Sequence, residues 1–144
     1  MADPVPIIQA TLAPIFLVNG AAIFLNFTQA RLFRVIDRLR AMKKELAGEG
    51  LHEALRGEIL REQARHLRRA LILRNAVLFG VLVIALTVVT TLLLLMVGVD
   101  PALEAGRWPI VTFAAALLSF FVALTLVTSD AFLSVAAARG PDVR

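Results

Sequence analysis

Three stretches of the chain carry no charge: 27 residues from Pro4 to Ala30, 25 from Asn75 to Val99 and 22 from Trp108 to Ser129. A helix needs about 20 predominantly apolar residues to cross a ~30 Å hydrocarbon core, and each stretch is long enough. A helix in a soluble domain seldom stays apolar all round for that distance. The pattern predicts three membrane spans, at about 8–30, 71–97 and 109–131. Pro4 and Pro6 set the start of the first span back to between Ile7 and Leu12, and Pro14 falls in its first turns, where a missing N–H costs least. Gly98 and Asp100-Pro101 close the second span. Trp108-Pro109 opens the third with an interfacial aromatic and a helix-starting proline. Its helix continues towards Ala138, where Arg139-Gly140-Pro141 ends it.

The polar segment between spans one and two has a pattern of its own. No Gly or Pro interrupts Ala21 to Ala47, so the first helix runs on past Arg31 into water. There Leu32, Val35, Leu39, Met42 and Leu46 alternate steps of three and four, a heptad seam. Gly48-Glu49-Gly50 supplies a turn. The returning segment sets Leu51, Leu55, Ile59 or Leu60, Ala64, Leu67 and Leu71 at helical spacing. The fold class is therefore all-α: one membrane domain over 1–144, with a cytoplasmic antiparallel helical hairpin at 31–70 between spans one and two. At 1.5 Å per residue the hairpin projects roughly 25–30 Å. Two heptads are too few for a coiled coil to stand alone; membrane anchoring, or neighbouring copies in a homo-oligomeric bundle, should supply the rest.

Charge then orients the chain. Arg31 to Arg74 holds 12 basic and 6 acidic residues, +6, against −2 for everything else, which together make the net +4. A basic segment between two spans marks the cytoplasmic side, so the N-terminus lies outside and the C-terminus inside. The +4 is thus a topology marker and does not call for nucleic acid. A cleaved signal peptide is excluded as a reading of span one, because the first basic residue is Arg31 and the apolar run is too long. Composition adds that 59% of the residues are hydrophobic and none is Cys, which removes disulfides and thiolate chemistry. The topology and the Ala/Leu/Val/Arg-rich composition point to a bacterial plasma membrane.

Chemistry-bearing residues are few. His52 and His66 lie in the polar hairpin without a partner at metal-ligand spacing, and the hairpin carboxylates read as a solvated face. Neither catalysis nor a metal or cofactor is expected. Asn19 and Asn26 stand seven residues apart, hence about 20° apart around a helix, and Asp37 returns to the same stripe. Amides in hydrocarbon need partners, so this stripe should face protein or water, as interhelical glue or as the lining of a central pathway. On span three, Ala115, Ser119 and Ala123 form a small-residue packing surface. Asp130 follows the last uncharged stretch and should meet Arg31 or Arg74 at headgroup level. Arg34, Arg38, Arg65, Arg68 and Arg69 form a belt suited to anionic lipid headgroups or to an inner pore mouth.

A span bearing Pro14 and Asn19, the string R-x-x-R-V-I-D-R-x-R at Arg31–Arg40, a short hairpin, R-R-A-L-I-L-R-N-A at Arg68–Ala76 and a last span with Asp130 near its end resemble the domain-of-unknown-function 2721 family over almost the whole chain. The resemblance implies a three-span architecture and brings no activity, substrate or catalytic residue. Three spans are too few for a transport path within one subunit. The function expected first is a homo-oligomeric ion channel or permeation-type protein with span one lining the axis. The alternative is a non-conducting scaffold or regulator whose basic hairpin binds a cytosolic partner or anionic lipid.

Overall fold

A computed structural model describes residues 4–48, 53–99 and 106–138. All three described elements are helices: α1 Pro4–Leu46, α2 Glu53–Val99 and α3 Trp108–Ala138. Each is long and apolar enough to cross a membrane. At 1.5 Å per residue, α1 and α2 are roughly 65–70 Å long and α3 roughly 46 Å. The hairpin is accordingly not a separate element. Its two arms are the unbroken continuations of the first two spans, because nothing in Ala21–Ala47 or in 58–79 interrupts the backbone ladder. The turn at Glu49 and Gly50, Leu51, His52, the loop at Asp100–Pro101 and the stop at Arg139–Pro141 lie outside the described residues. α1 begins earlier than its prolines suggest. Pro4 and Pro6 occupy the first turn, where the amide they lack has no intrahelical acceptor in any case.

α2 is the central helix, packed along α1 on one side and α3 on the other, while α1 and α3 approach each other only slightly. Its packing face reads Leu73, Ala76, Gly80, Val83, Thr87 and Thr90, all buried at steps of three and four. Small residues there let the helix axes come close. A Cβ added to Gly80 would stand 2.7 Å from Leu25 Cδ2, so α1 and α2 meet closely here and the Leu25 side chain would have to shift to admit a larger residue. α3 answers with Ala116, Ser119, Ala123, Val127 and Asp130. Phe24 of α1 and Phe120 of α3 bridge the gap between the outer helices edge to face, with centroids 5.6 Å apart.

The heptad seam of α1 faces inward, with Val35 and Met42 buried and Leu32, Leu39 and Leu46 half-buried. The returning arm is rotated from the expected register. Leu55, Leu60, Ala64, Leu67 and Leu71 are exposed, and the inward face is Ile59, Glu62, Gln63, His66, Arg69 and Ala70. The reason lies across the interface. α1 brings arginines to this level and α3 brings a carboxylate, so α2 turns its polar face to them and leaves a leucine stripe outside.

Candidate functional site

The polar end of the bundle is built around Asp130. Its side chain is fully buried, one helical turn before Ser134 on α3. Arg69 of α2 donates from Nε to Asp130 Oδ1 at 2.9 Å and from Nη2 to Ser134 Oγ at 2.9 Å. Arg31 of α1 places Nη2 3.4 Å from Asp130 Oδ2. That oxygen has no hydrogen-bond donor among the described residues, so Arg31 acts on it through charge rather than through a directed bond. The Arg31 guanidinium also lies over the Phe27 ring, 5.5 Å from its centroid. One carboxylate thereby ties all three helices together.

Of Arg31 and Arg74, one of which is expected beside Asp130, the structure brings Arg31, and Arg69 joins it. Arg74 is exposed and belongs to none of the ion pairs among the described residues. Five residues turn a helix by about 140° beyond a full turn, so Arg69 and Arg74 cannot share a face. The buried Leu73, Ala76 and Gly80 fix which of the two points inward. Arg65 and Arg68 are exposed on the outer side of α2.

Beside the Asp130 cluster, between α1 and α2, opens a cleft of about 270 Å³ lined by Arg31, Arg34, Val35, Arg38, His66 and Arg69. Arg34 donates from Nε to the Ala30 carbonyl at 3.3 Å, and Arg38 lies 3.6 Å from Glu62. His66 Nδ1 lies 3.0 Å from the Glu62 carbonyl. A carbonyl only accepts, so the proton sits on Nδ1 and Nε2 is the ring's remaining hydrogen-bonding atom.

The stripe of α1 lies on the other side of the molecule. Asn19, Asn26 and Asp37 are all exposed. Asn26 is nine residues before the buried Val35, which at roughly 100° per residue is about 180° from the packing face. Asp37 bonds Arg40 at 3.1 Å within its own helix. The two amides find no hydrogen-bond partner among the described residues. Exposed hydroxyls behave otherwise: Thr125, Thr128 and Ser129 each donate to the carbonyl four residues back at 2.8–2.9 Å. A hydroxyl can satisfy itself in this way on a lipid-facing surface, whereas an asparagine amide with two donors and an acceptor does not.

Of the small-residue surface on α3, Ser119 and Ala123 are buried and Ala115 is half-buried, the stripe being centred on Ala116. Ser119 donates to the Ala115 carbonyl at 2.8 Å. Nearer the apolar end, Thr90 Oγ1 and Thr112 Oγ1 meet across the α2–α3 interface at 2.8 Å, and each also reaches a carbonyl one turn back. Sequence reasoning missed this pair and the cleft role of His66. The step pattern from Leu73 to Thr90 carried the signal that would have found the threonine. No group of three or more His, Asp or Glu side chains among the described residues is placed to hold a metal.

Neither the curated proteins nor the solved structures offer a match to this chain. A family model, described as a protein of unknown function (DUF2721), matches residues 11–139. The matched region takes in α1 from its eighth residue and the whole of α2 and α3, and the chain belongs to the DUF2721 family.

Proposed function

We propose that the chain is one subunit of a homo-oligomeric, permeation-type membrane protein, an ion channel in which α1 faces the axis. The observation that carries this reading is the outward amide stripe. Asn19 and Asn26 stand diametrically opposite the packing face, on a stretch without charge, and no group among the described residues pairs with them. Leaving an amide unpaired in an apolar medium costs about 2–7 kcal/mol, so lipid is a poor neighbour, while a second copy or a water-filled axis is a good one. The interior of one bundle is filled by Phe24, Leu73, Ala76 and Ala123, which puts any route between copies. By the positive-inside rule the polar end lies in the cytoplasm of a bacterial cell, with the N-terminus outside. No catalytic step is assigned to the chain.

The chain contains no Cys, so Asn26→Cys introduces a single thiol. Reconstituted Asn26→Cys protein should conduct ions across vesicles and lose that conductance on treatment with a bulky thiol reagent, whereas Phe121→Cys protein, altered on the exposed face of α3, should not. Absence of ionic flux under every voltage, membrane tension and lipid applied overturns the reading. A non-conducting scaffold is then the better description. One observation favours it: Leu55, Leu60 and Leu67 are half exposed on the charged arm, where lipid tails do not reach and another protein surface would cover them.

A further inference from the structure

We infer that the basic cleft between α1 and α2 is a binding site for a terminal phosphoryl group, held between Arg34 and Arg38 on one helix and Arg69 on the other. All its lining residues come from one chain, so the inference stands whether or not copies assemble around a pore.

Charge is the first argument. Four guanidinium groups line the cleft, from Arg31, Arg34, Arg38 and Arg69. Two carboxylates face them: Asp130, shared by Arg31 and Arg69, and Glu62, 3.6 Å from Arg38. Four positive groups against two negative ones leave an excess of two within a cavity of about 270 Å³. A singly charged diester or a halide neutralises half of that excess. A phosphate monoester, carrying about −1.5 to −2 at pH 7, neutralises nearly all of it.

Geometry is the second. Guanidinium forks bind phosphate oxygens through paired, charge-assisted bonds, and two helices present them here from opposite walls. Arg34 is the least committed, with only its Nε engaged, by a carbonyl of its own helix. Arg31 and Arg69 are held by Asp130 and hence arrive pre-organised, which lowers the ordering cost of binding. Position is the third. Arg31 is the first charge after 27 uncharged residues, so the cleft stands where phosphate headgroups stand, while its mouth is also open to soluble phosphate.

Two double variants separate a built site from a diffuse basic belt. R34Q/R38Q removes two charges from the cleft and leaves the Asp130 cluster untouched. R65Q/R68Q removes two charges from the exposed outer face at the same level. Full-length protein in phosphatidylcholine nanodiscs is titrated with inorganic phosphate by calorimetry. In parallel, its thermal midpoint is read in nanodiscs containing phosphatidic acid or, as the diester control, phosphatidylglycerol. The expected result is binding weakened about tenfold or more in R34Q/R38Q, the loss of roughly one charge-assisted hydrogen bond, with R65Q/R68Q close to the parent. R34Q alone gives a second reading should the double variant fold poorly. Cleft-dependent binding of inorganic phosphate assigns the ligand to the aqueous side. Cleft-dependent stabilisation by phosphatidic acid alone assigns it to a headgroup. Equal losses in the two double variants, phosphatidylglycerol matching phosphatidic acid, or no binding by any probe overturns the site.

Discussion

Asp130 and Asn26 are both polar groups on helices built to lie in hydrocarbon, and the fold treats them in opposite ways. Asp130 is wholly buried and draws an arginine from each neighbouring helix. Asn26 is exposed, on the face turned away from both neighbours. Among the described residues, the inner region of the bundle therefore meets its polar groups from within the chain, Asp130 Oδ2 through charge rather than a hydrogen bond. Thr90 and Thr112 meet across an interface, and Thr28 and Thr87 turn back on their own helix carbonyls at 2.8 and 2.7 Å. The outer face of α1 leaves Asn19 and Asn26 exposed, with no hydrogen-bond partner among the described residues. Polar groups of the first kind hold the fold; those of the second kind describe its surroundings.

Removing Asp130 should produce the largest effect. Asp130→Ala leaves Arg31 and Arg69 facing each other with no anion between them. Breaking a buried pair costs about 3–5 kcal/mol, and the lower end applies because the two arginine side chains keep 23% and 22% of their surface exposed. A drop of that size in unfolding free energy, read by denaturant titration in detergent, is the expected result. Asp130→Glu should recover part of it. An Asp130→Ala protein as stable as the parent would mean that the cluster does not hold the helices together.

Second comes the glycine contact in the same inner region. Gly80→Leu forces α1 away from α2, because even the first added carbon meets Leu25 at 2.7 Å. Overpacking of this kind costs about 1–3 kcal/mol, and Leu25→Ala in the same protein should restore most of it. A Gly80→Leu protein with an unchanged thermal midpoint would show that the interface has slack.

How much of this was legible beforehand depended on whether one helix or two had to be known. Three helices, the inward seam Leu32–Val35–Leu39–Met42 and the depth shared by Arg31 and Asp130 follow from local pattern, since charge-free runs and heptad steps belong to single segments. The register of α2 did not follow. Its polar arm offers two stripes at helical spacing, the apolar Leu60–Ala64–Leu67–Leu71 and the mixed Ile59–Gln63–His66–Ala70, and hydrophobicity alone prefers the first. The second wins because the arginines of α1 and the carboxylate of α3 stand opposite it, a fact about the partners and not about α2. The same rotation decided for Arg69 over Arg74. It also closed a cleft around His66 that no spacing within one segment could reveal.

A smaller effect is expected at the apolar end. Thr90→Val keeps the shape but removes the hydroxyl that meets Thr112. Thr112 retains the Trp108 carbonyl at 3.0 Å, so no group is stranded. Interhelical hydrogen bonds in membranes average about 0.6 kcal/mol, and the loss should be of that size. A loss comparable to that of Asp130→Ala would erase the distinction between a charged anchor and an ordinary interhelical contact.

Asn26→Leu should change the stability of the single bundle least of all, by about 0.5 kcal/mol or less, because the amide is exposed and has no hydrogen-bond partner among the described residues, and surface substitutions outside special features fall within that range. The same substitution should change assembly the most. A leucine at position 26 turns the middle of the stripe into a surface that lipid covers well. If Asn26 faces another copy or an aqueous axis, the mass of the detergent-solubilised particle falls towards that of one chain, or conductance disappears, while the thermal midpoint of the bundle holds. If instead Asn26→Leu alters the midpoint as strongly as Gly80→Leu and leaves particle mass and flux unchanged, the amide belongs to the fold of one chain, and the division between inward and outward polar groups fails at its decisive residue.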